Sequence, residues 1–315
     1  MQIIKDGYGG LAFPRWKRCY PEKVITLRNF SIRAWVTGVF AVMKAQTRVA
    51  IIQMRSELDK CTNIERTREF IGRAAKQRAE LIALPETFNC LGSYEQMVAL
   101  AEEIPGKTTD IISELAREHG VYIHCGSIYE KIENSPRVFN TSIVFAPTGE
   151  IVAMYRKIHL FDVNLADDCT SCESRWVAPG DQIVAIETSC GMIGLSICYD
   201  LRFPELFRRL ADKGVQLIFV PSAFRKTTGT AHWEILLRSR AIENQAYVLA
   251  PNQWGNHPGE MSNYGNSMIV NPWGEIIVRA QSESDSILAV DINLEELERI
   301  RSQLPALEHR RIHGS

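Results

Sequence analysis

Three reactive residue types stand at the ends of three apolar segments in this sequence. Cys198 lies in "GMIGLSICYDLRFPELFRR" (191–209), where an apolar run meets a charged, helix-like stretch. Glu86 closes "LIALPE" and Lys157 closes "IVAMYRK". A cysteine between a strand end and a helix start meets backbone N–H groups and the positive end of a helix dipole. Both favour a thiolate and can hold an oxyanion, which is the logic of a nucleophile elbow. Taken alone, such a cysteine is more commonly a small core residue, and each charged residue more commonly a solvated strand terminus. Together they form a set at strand C-terminal edges, where open α/β sheets bind ligands. Glu86 would take the thiol proton and pass it to a departing amine, then activate water against the thioester. Lys157 and the N–H following Cys198 would stabilise the tetrahedral oxyanion. This scheme calls for no metal and no organic cofactor.

Other residues compete for these roles. Cys169 and Cys172 form a C-x-x-C pair, but a structural zinc site wants four ligands and no second close pair exists; His159 is the nearest candidate. Two loop thiols beside Glu173 is the favoured meaning, and spacing alone leaves Glu173 ambiguous. His232 in "AHWEILL" could partner Cys198 as in cysteine–histidine hydrolases, or form a substrate wall at a helix start. Tyr199 and Arg202 flank Cys198 and could contact a substrate carboxylate, the arginine in bidentate fashion. An Arg202–Glu205 ion pair at the helix start is an equally natural alternative. Trp233 and Trp273, at apolar spacing, read as core rather than as ligand platforms.

The elements that must position these groups alternate between strand-like and helix-like patterns from Arg48 onward. "RVAIIQM", "ELIALPE", "VYIHCGS", "VQLIFVPS" and "YVLAPNQ" read as strands. Helices are expected over "CTNIERTREFIGRAAKQRA", with Asn63 a possible cap, over "TTDIISELAREHG", stopped by Gly120, from Pro204 to Lys213, and over "AHWEILLRSRAIENQ". "NTSIVFAPTGEIVAMYRK", "IVAIETSCGMIGLSIC" and "NSMIVNPWGEIIVRA" read as hairpins. Parallel units mixed with hairpins imply an α/β fold in which helices cover two mixed sheets that can stack. Residues 158–180 lack clear periodicity, and a loop of that length in a compact domain is usually functional or disordered.

Composition narrows the classes. A net charge of −1 argues against a nucleic-acid binder. The apolar run "AWVTGVFAVM" (34–43) is far short of the roughly 20 residues that span a bilayer, so no membrane partner is expected. Eight cysteines at irregular spacings fit free thiols in a reducing compartment. From Gly7 to Thr47 there are seven Lys/Arg and a single acid, Glu22, so residues 1–47 read as a basic extension. Such a bias suits an organellar transit peptide, and a leader preceding a second start at Met43 is the alternative. No Gly/Ser/Pro-rich linker interrupts 48–305, and 48–315 read as one domain.

"LPETF", "YRKIHLFD" and "ICYDLRFPEL" resemble the three motifs of the carbon–nitrogen hydrolase (nitrilase) superfamily, in order, from about Arg48 to the C-terminus. The resemblance implies that Glu86 is the general base, Lys157 the oxyanion-stabilising residue and Cys198 the nucleophile. Glu173, in "CES", would be an auxiliary glutamate positioning substrate or lysine. It further implies a four-layer α-β-β-α sandwich of two stacked mixed sheets and a homodimer acting on a small-molecule amide, with no cofactor. "PSAF", "TGTAHWEILLRSRAIENQ", "YGNSMIVNPWGE" and "EHRR" look most like the eukaryotic amidases of the superfamily, found in mitochondrial and cytosolic forms. "CES", Ser222 and "NQWGNH" point to the branch that hydrolyses deaminated glutathione to 2-oxoglutarate and cysteinylglycine; the sister branch is the ω-amidases. Asn266 departs from the histidine common in the first branch, which bears on the substrate rather than on the reaction.

Overall fold

The strand Gln46–Gln53 is apolar on both faces, and the two faces meet different neighbours. Val49 and Ile51 enter the core between two sheets, while Ala50 and Ile52 enter a second core beneath helices. The strand Leu81–Ala83 divides its side chains in the same way. This is what a period of two predicts for a strand covered on both sides. These observations come from a computed structural model that describes residues 45–165, 169–257 and 261–312. The readings of a transit peptide and of a start at Met43 concern residues outside these.

The first sheet runs in the order Ser286–Asn293, Gln46–Gln53, Leu81–Ala83, Tyr122–His124, Val138–Phe145, Ile128–Lys131, with Ile151–Arg156 also paired to Val138–Phe145. The second runs Ile276–Arg279, Met268–Val270, Tyr247–Ala250, Leu217–Phe219, Gly191–Leu195, Ala185–Thr188. Each sheet has three parallel strands at its centre and antiparallel hairpins beside them. All three expected hairpins form. Helices Lys60–Lys76 and Lys107–His119 cover the outer face of the first sheet through Ile64, Phe70, Ile71, Ile112 and Leu115. Helices Pro204–Asp212 and Lys226–Asn244 contribute Leu206, Phe207, Leu210, Trp233 and Leu237 to the core of the second sheet. Each such fully buried large side chain stabilises the fold by about 1.5–3 kcal/mol. The result is the α-β-β-α sandwich.

Several local expectations need correction. Asp59, not Asn63, caps the first helix, its carboxylate accepting from the Thr62 N–H at 2.9 Å. Asn63 is buried and ties down the backbone of Glu57 and Asn89. The helix carrying His232 starts at Lys226, five residues ahead of the expected "AHWEILL" start, which places His232 inside the helix. Threonines and a glycine weaken helix propensity there, and tertiary packing overrides it. Gly229 lies so close to the Tyr264 ring that a Cβ would sit 2.5 Å from its Cγ. Trp233 is fully buried, as expected, but Trp273 is 58% exposed on a hairpin turn. The short helix Tyr94–Ala99, the strand Ser286–Asn293 and the helix Leu294–Gln303 add elements beyond those read from the sequence. Within 158–180 lie the paired strands Asp162–Leu165 and Cys169–Cys172 and a turn of 3₁₀ helix at Glu173–Arg175.

Candidate active site

Glu86 follows the strand Leu81–Ala83 by three residues, in a turn where Thr87 has a left-handed φ of 51°. A neighbouring turn presses closely on it. A Cβ at Gly126, whose φ is +56°, would lie 1.9 Å from the Pro85 carbonyl oxygen, so only glycine fits. The Glu86 carboxylate is buried and fully engaged. Oε1 accepts from Asn140 Nδ2 at 2.9 Å and from Lys157 Nζ at 3.1 Å, and Oε2 accepts from the Ala223 N–H at 2.7 Å.

Lys157 comes immediately after the strand Ile151–Arg156, and its own N–H donates to the Asn140 carbonyl at 2.9 Å. Its ammonium also donates to both Glu173 oxygens, at 3.1 and 2.9 Å. Glu173 is delivered by the 3₁₀ turn, and its Oε2 accepts from the Phe161 N–H at 2.6 Å. Burial disfavours the ammonium, but Glu173 and Glu86 outweigh it and hold the Lys157 pKa well above the ordinary lysine value. Burial raises the pKa of Glu173, with Lys157 opposing and Glu86 reinforcing.

Cys198 sits three residues past the end of the strand Gly191–Leu195 and opens a turn of 3₁₀ helix, Cys198–Arg202. Its φ of +47° is a strained conformation for a non-glycine residue, held by its N–H donating to the Pro221 carbonyl at 2.9 Å. The next N–H, that of Tyr199, has no hydrogen-bond partner among the described residues. The fully buried Asp200 carboxylate ties this turn to the Lys157 segment. It accepts from the Ile197 N–H at 2.8 Å, the Tyr155 hydroxyl at 2.7 Å and the His159 N–H at 3.0 Å, and it contacts His159 Nδ1 at 2.8 Å.

The elbow argument anticipates a readily ionised thiol, and the structure corrects it. Burial and then the Glu86 carboxylate raise the Cys198 pKa well above the usual thiol value, and the Lys157 ammonium only partly opposes them. The resting sulfur is therefore a neutral thiol facing a carboxylate. Proton transfer has to accompany attack.

Glu86, Lys157, Glu173, Cys198, Tyr199 and Arg202 all line one cavity. The Arg202 Nη1 lies 3.1 Å from His232 Nδ1, and its guanidinium lies over the Phe224 and Tyr199 rings; no Arg202–Glu205 ion pair is present among the described residues. His232 is exposed and meets the cavity only through Arg202, so it is not a partner for the thiol. His159 is stacked on Phe203 with its centroid at 3.7 Å and faces Asp200, an arrangement for packing rather than metal ligation. Cys172 is an exposed free thiol, the Cys169 side chain lies outside the description, and no cluster of metal-ligating side chains occurs among the described residues. Ser222 and Asn266 are buried and bonded to neighbouring protein groups away from the cavity. Asn140, Asp200, Tyr129 and the Ala223 N–H were not read from the sequence. Asn140 and Asp200 are polar residues flanked by strand and turn patterns, which is a weak signal, and a backbone N–H leaves none.

Two stacked mixed sheets with this Glu-Lys-Cys cavity at their strand ends define a thiol-dependent hydrolase with an α-β-β-α fold. The carbon–nitrogen hydrolase family matches residues 48–302, and the chain belongs to that family. It is 41% identical over 264 residues to human omega-amidase NIT2, covering 84% of this chain and 95% of that one. The NitFhit protein of C. elegans superposes with a TM-score of 0.81 at 34% identity, over 86% of this chain and 66% of that one. An amidase from Nesterenkonia sp. AN1, solved with acrylamide added to its active-site cysteine, superposes at 0.69 with 26% identity, over 82% and 98%. The chain is a hydrolase acting on amide carbon–nitrogen bonds.

Proposed function

We propose that this amidase hydrolyses the terminal amide of a small 2-oxo acid through a Cys198 thioester. Cys198 Sγ attacks the amide carbonyl while Glu86 takes the thiol proton. The oxyanion forms against the Lys157 ammonium and the Tyr199 N–H, which has no partner among the described residues. Glu86 returns the proton to the leaving nitrogen, the carbon–nitrogen bond breaks and a thioester remains. Glu86 then takes a proton from water, which adds to the thioester and releases the acid and the thiol. Glu173 holds Lys157 in place throughout. The observation that carries this reading is the convergence of Glu86, Lys157 and Cys198 on one cavity from strand ends of both sheets.

The relatives named omega-amidase support 2-oxoglutaramate as substrate. Deaminated glutathione carries the same 2-oxoglutaryl group with cysteinylglycine in place of ammonia, and the likeness of the "CES" segment to the branch acting on it favours it as a second reading. Ser222 and Asn266, which lie away from the cavity, do not speak for either. Side-by-side kcat/KM values on the two amides decide between them, and failure to release 2-oxoglutarate from both would reject the reading. The family likeness also leads us to propose a homodimer in the mitochondrion or cytoplasm, testable by light scattering and cell fractionation.

A further inference from the structure

The cavity has a side that the chemistry above does not use. Arg225, Thr228, Tyr129 and Asn263 line it alongside the catalytic groups. Arg225 caps the 19-residue helix Lys226–Asn244, which has no side-chain cap and no acid in its first turn. The partial positive charge of that helix end is therefore not offset by a side chain of the cap or of the helix's own first turn. The Arg225 backbone is held by bridging to Asn263, but its guanidinium has no hydrogen-bond or ion-pair partner among the described residues. Its charge is felt at the buried Tyr94 phenol, on the cavity wall, and at His257. The cavity's other arginine, Arg202, is by contrast engaged with His232 and two aromatic rings.

Tyr129 supplies an independent sign. It is 93% buried by its relative exposure of 7%, yet its hydroxyl has no partner among the described residues. The phenol lines the cavity wall, and a hydroxyl there without a protein partner is placed to bond an oxygen brought by a ligand. The charge balance agrees. Glu86 and Glu173 face Lys157, Arg202 and Arg225, so Arg225 turns an otherwise neutral lining positive.

We propose that Arg225 is the specificity-determining cation of this cavity: it pairs with a carboxylate at the end of the acyl chain remote from the amide, and the Tyr129 hydroxyl donates to an oxygen of the same chain. What is assigned here is the residue that reads the remote carboxylate of the amide substrates already proposed. This rests on the amidase reading above and shifts carboxylate recognition from Arg202, beside the nucleophile, to Arg225.

The test compares glutaramate with pentanamide, which has the same chain length and no carboxylate. In the wild type, kcat/KM favours glutaramate. Arg225→Ala is expected to cut that preference about ten- to hundredfold, the range of one charge-assisted hydrogen bond, mainly through KM. Arg225→Lys should keep most of it, and Arg225→Glu should favour the neutral amide. Independently, calorimetry on Cys198→Ala protein should show glutarate binding that weakens by a similar factor on adding Arg225→Ala, or Arg225→Gln if the alanine variant is unstable. An unchanged amide preference with unchanged glutarate binding overturns the assignment. If the wild type hydrolyses neither amide, glutarate binding alone decides for or against Arg225, and the substrate reading above fails only if 2-oxoglutaramate and deaminated glutathione are not hydrolysed either.

Discussion

Glu86 Oε1 lies 3.1 Å from Lys157 Nζ, although 71 residues of chain separate the two and each belongs to the end of a different strand. Because the ammonium also bonds Glu173, one cation is shared between two buried carboxylates. The pair thereby keeps a charged acid–base system among buried side chains, where electrostatic effects on a transition state are stronger than in water.

The nucleophile is the simplest test. Cys198→Ala is expected to lower kcat at least about 10⁴-fold, as removal of a nucleophile does elsewhere. The loss of one small buried atom should shift Tm by no more than about 4 °C. Wild-type turnover by this variant would remove the mechanism.

Ionisation of the thiol gives a second test with a definite sign. Burial and the Glu86 charge raise the Cys198 pKa, so iodoacetamide should react slowly at pH 7 and faster as pH climbs past the usual thiol value of 9.0. Glu86→Gln removes the negative charge while keeping the shape. Its alkylation midpoint should move to lower pH even as amide turnover falls about 10²–10⁴-fold for want of the base. An unmoved midpoint would show that the two groups are not electrostatically coupled.

Lys157 carries stability as well as chemistry. Lys157→Ala leaves Glu86 and Glu173 buried without their cation, at a cost of about 3–5 kcal/mol. Since the folded pKa of Lys157 is raised above its ordinary 10.5, its contribution is complete below that pH and lost as pH rises through the folded value. Thermal melts from pH 8 to 12 should show wild-type stability declining at the alkaline end. The gap between wild type and Lys157→Ala should narrow there, and a gap independent of pH would contradict the assigned shift.

Asp200→Asn should lower kcat about ten- to hundredfold with little change in KM, because it loosens the tie between the Cys198 turn and the Tyr155–His159 segment without touching the substrate. An Asp200→Asn enzyme with unchanged kcat would mean that the Ile197 and His159 contacts are dispensable for placing the sulfur.

Chelation offers a control for the Cys169/Cys172 pair. Activity should survive EDTA or a zinc-selective chelator unchanged. Inhibition reversed by added zinc would instead bring that pair, and its loop, into the mechanism.

Much of the architecture was legible in the sequence for one reason: strands and helices print their burial into local periodicity. The three hairpins, the helix ended by Gly120 and the strands bearing Glu86 and Cys198 formed close to where the pattern put them. The start of the Lys226–Asn244 helix was missed because packing of Gly229 against Tyr264, not propensity, sets it. Trp273 was misread because apolar spacing does not say whether a hairpin tip is covered. Glu173 was ambiguous by spacing, since its loop has no period; what places it is a bond to Lys157.

The sequence by itself determined which reactive side chains end which strands, because that information is local. Tertiary structure alone decided that Lys157 is shared by two carboxylates, that the thiol rests neutral and that Arg225 has no partner among the described residues. Those properties depend on burial and on distances between residues remote in the chain, and Coulomb energies change steeply with both.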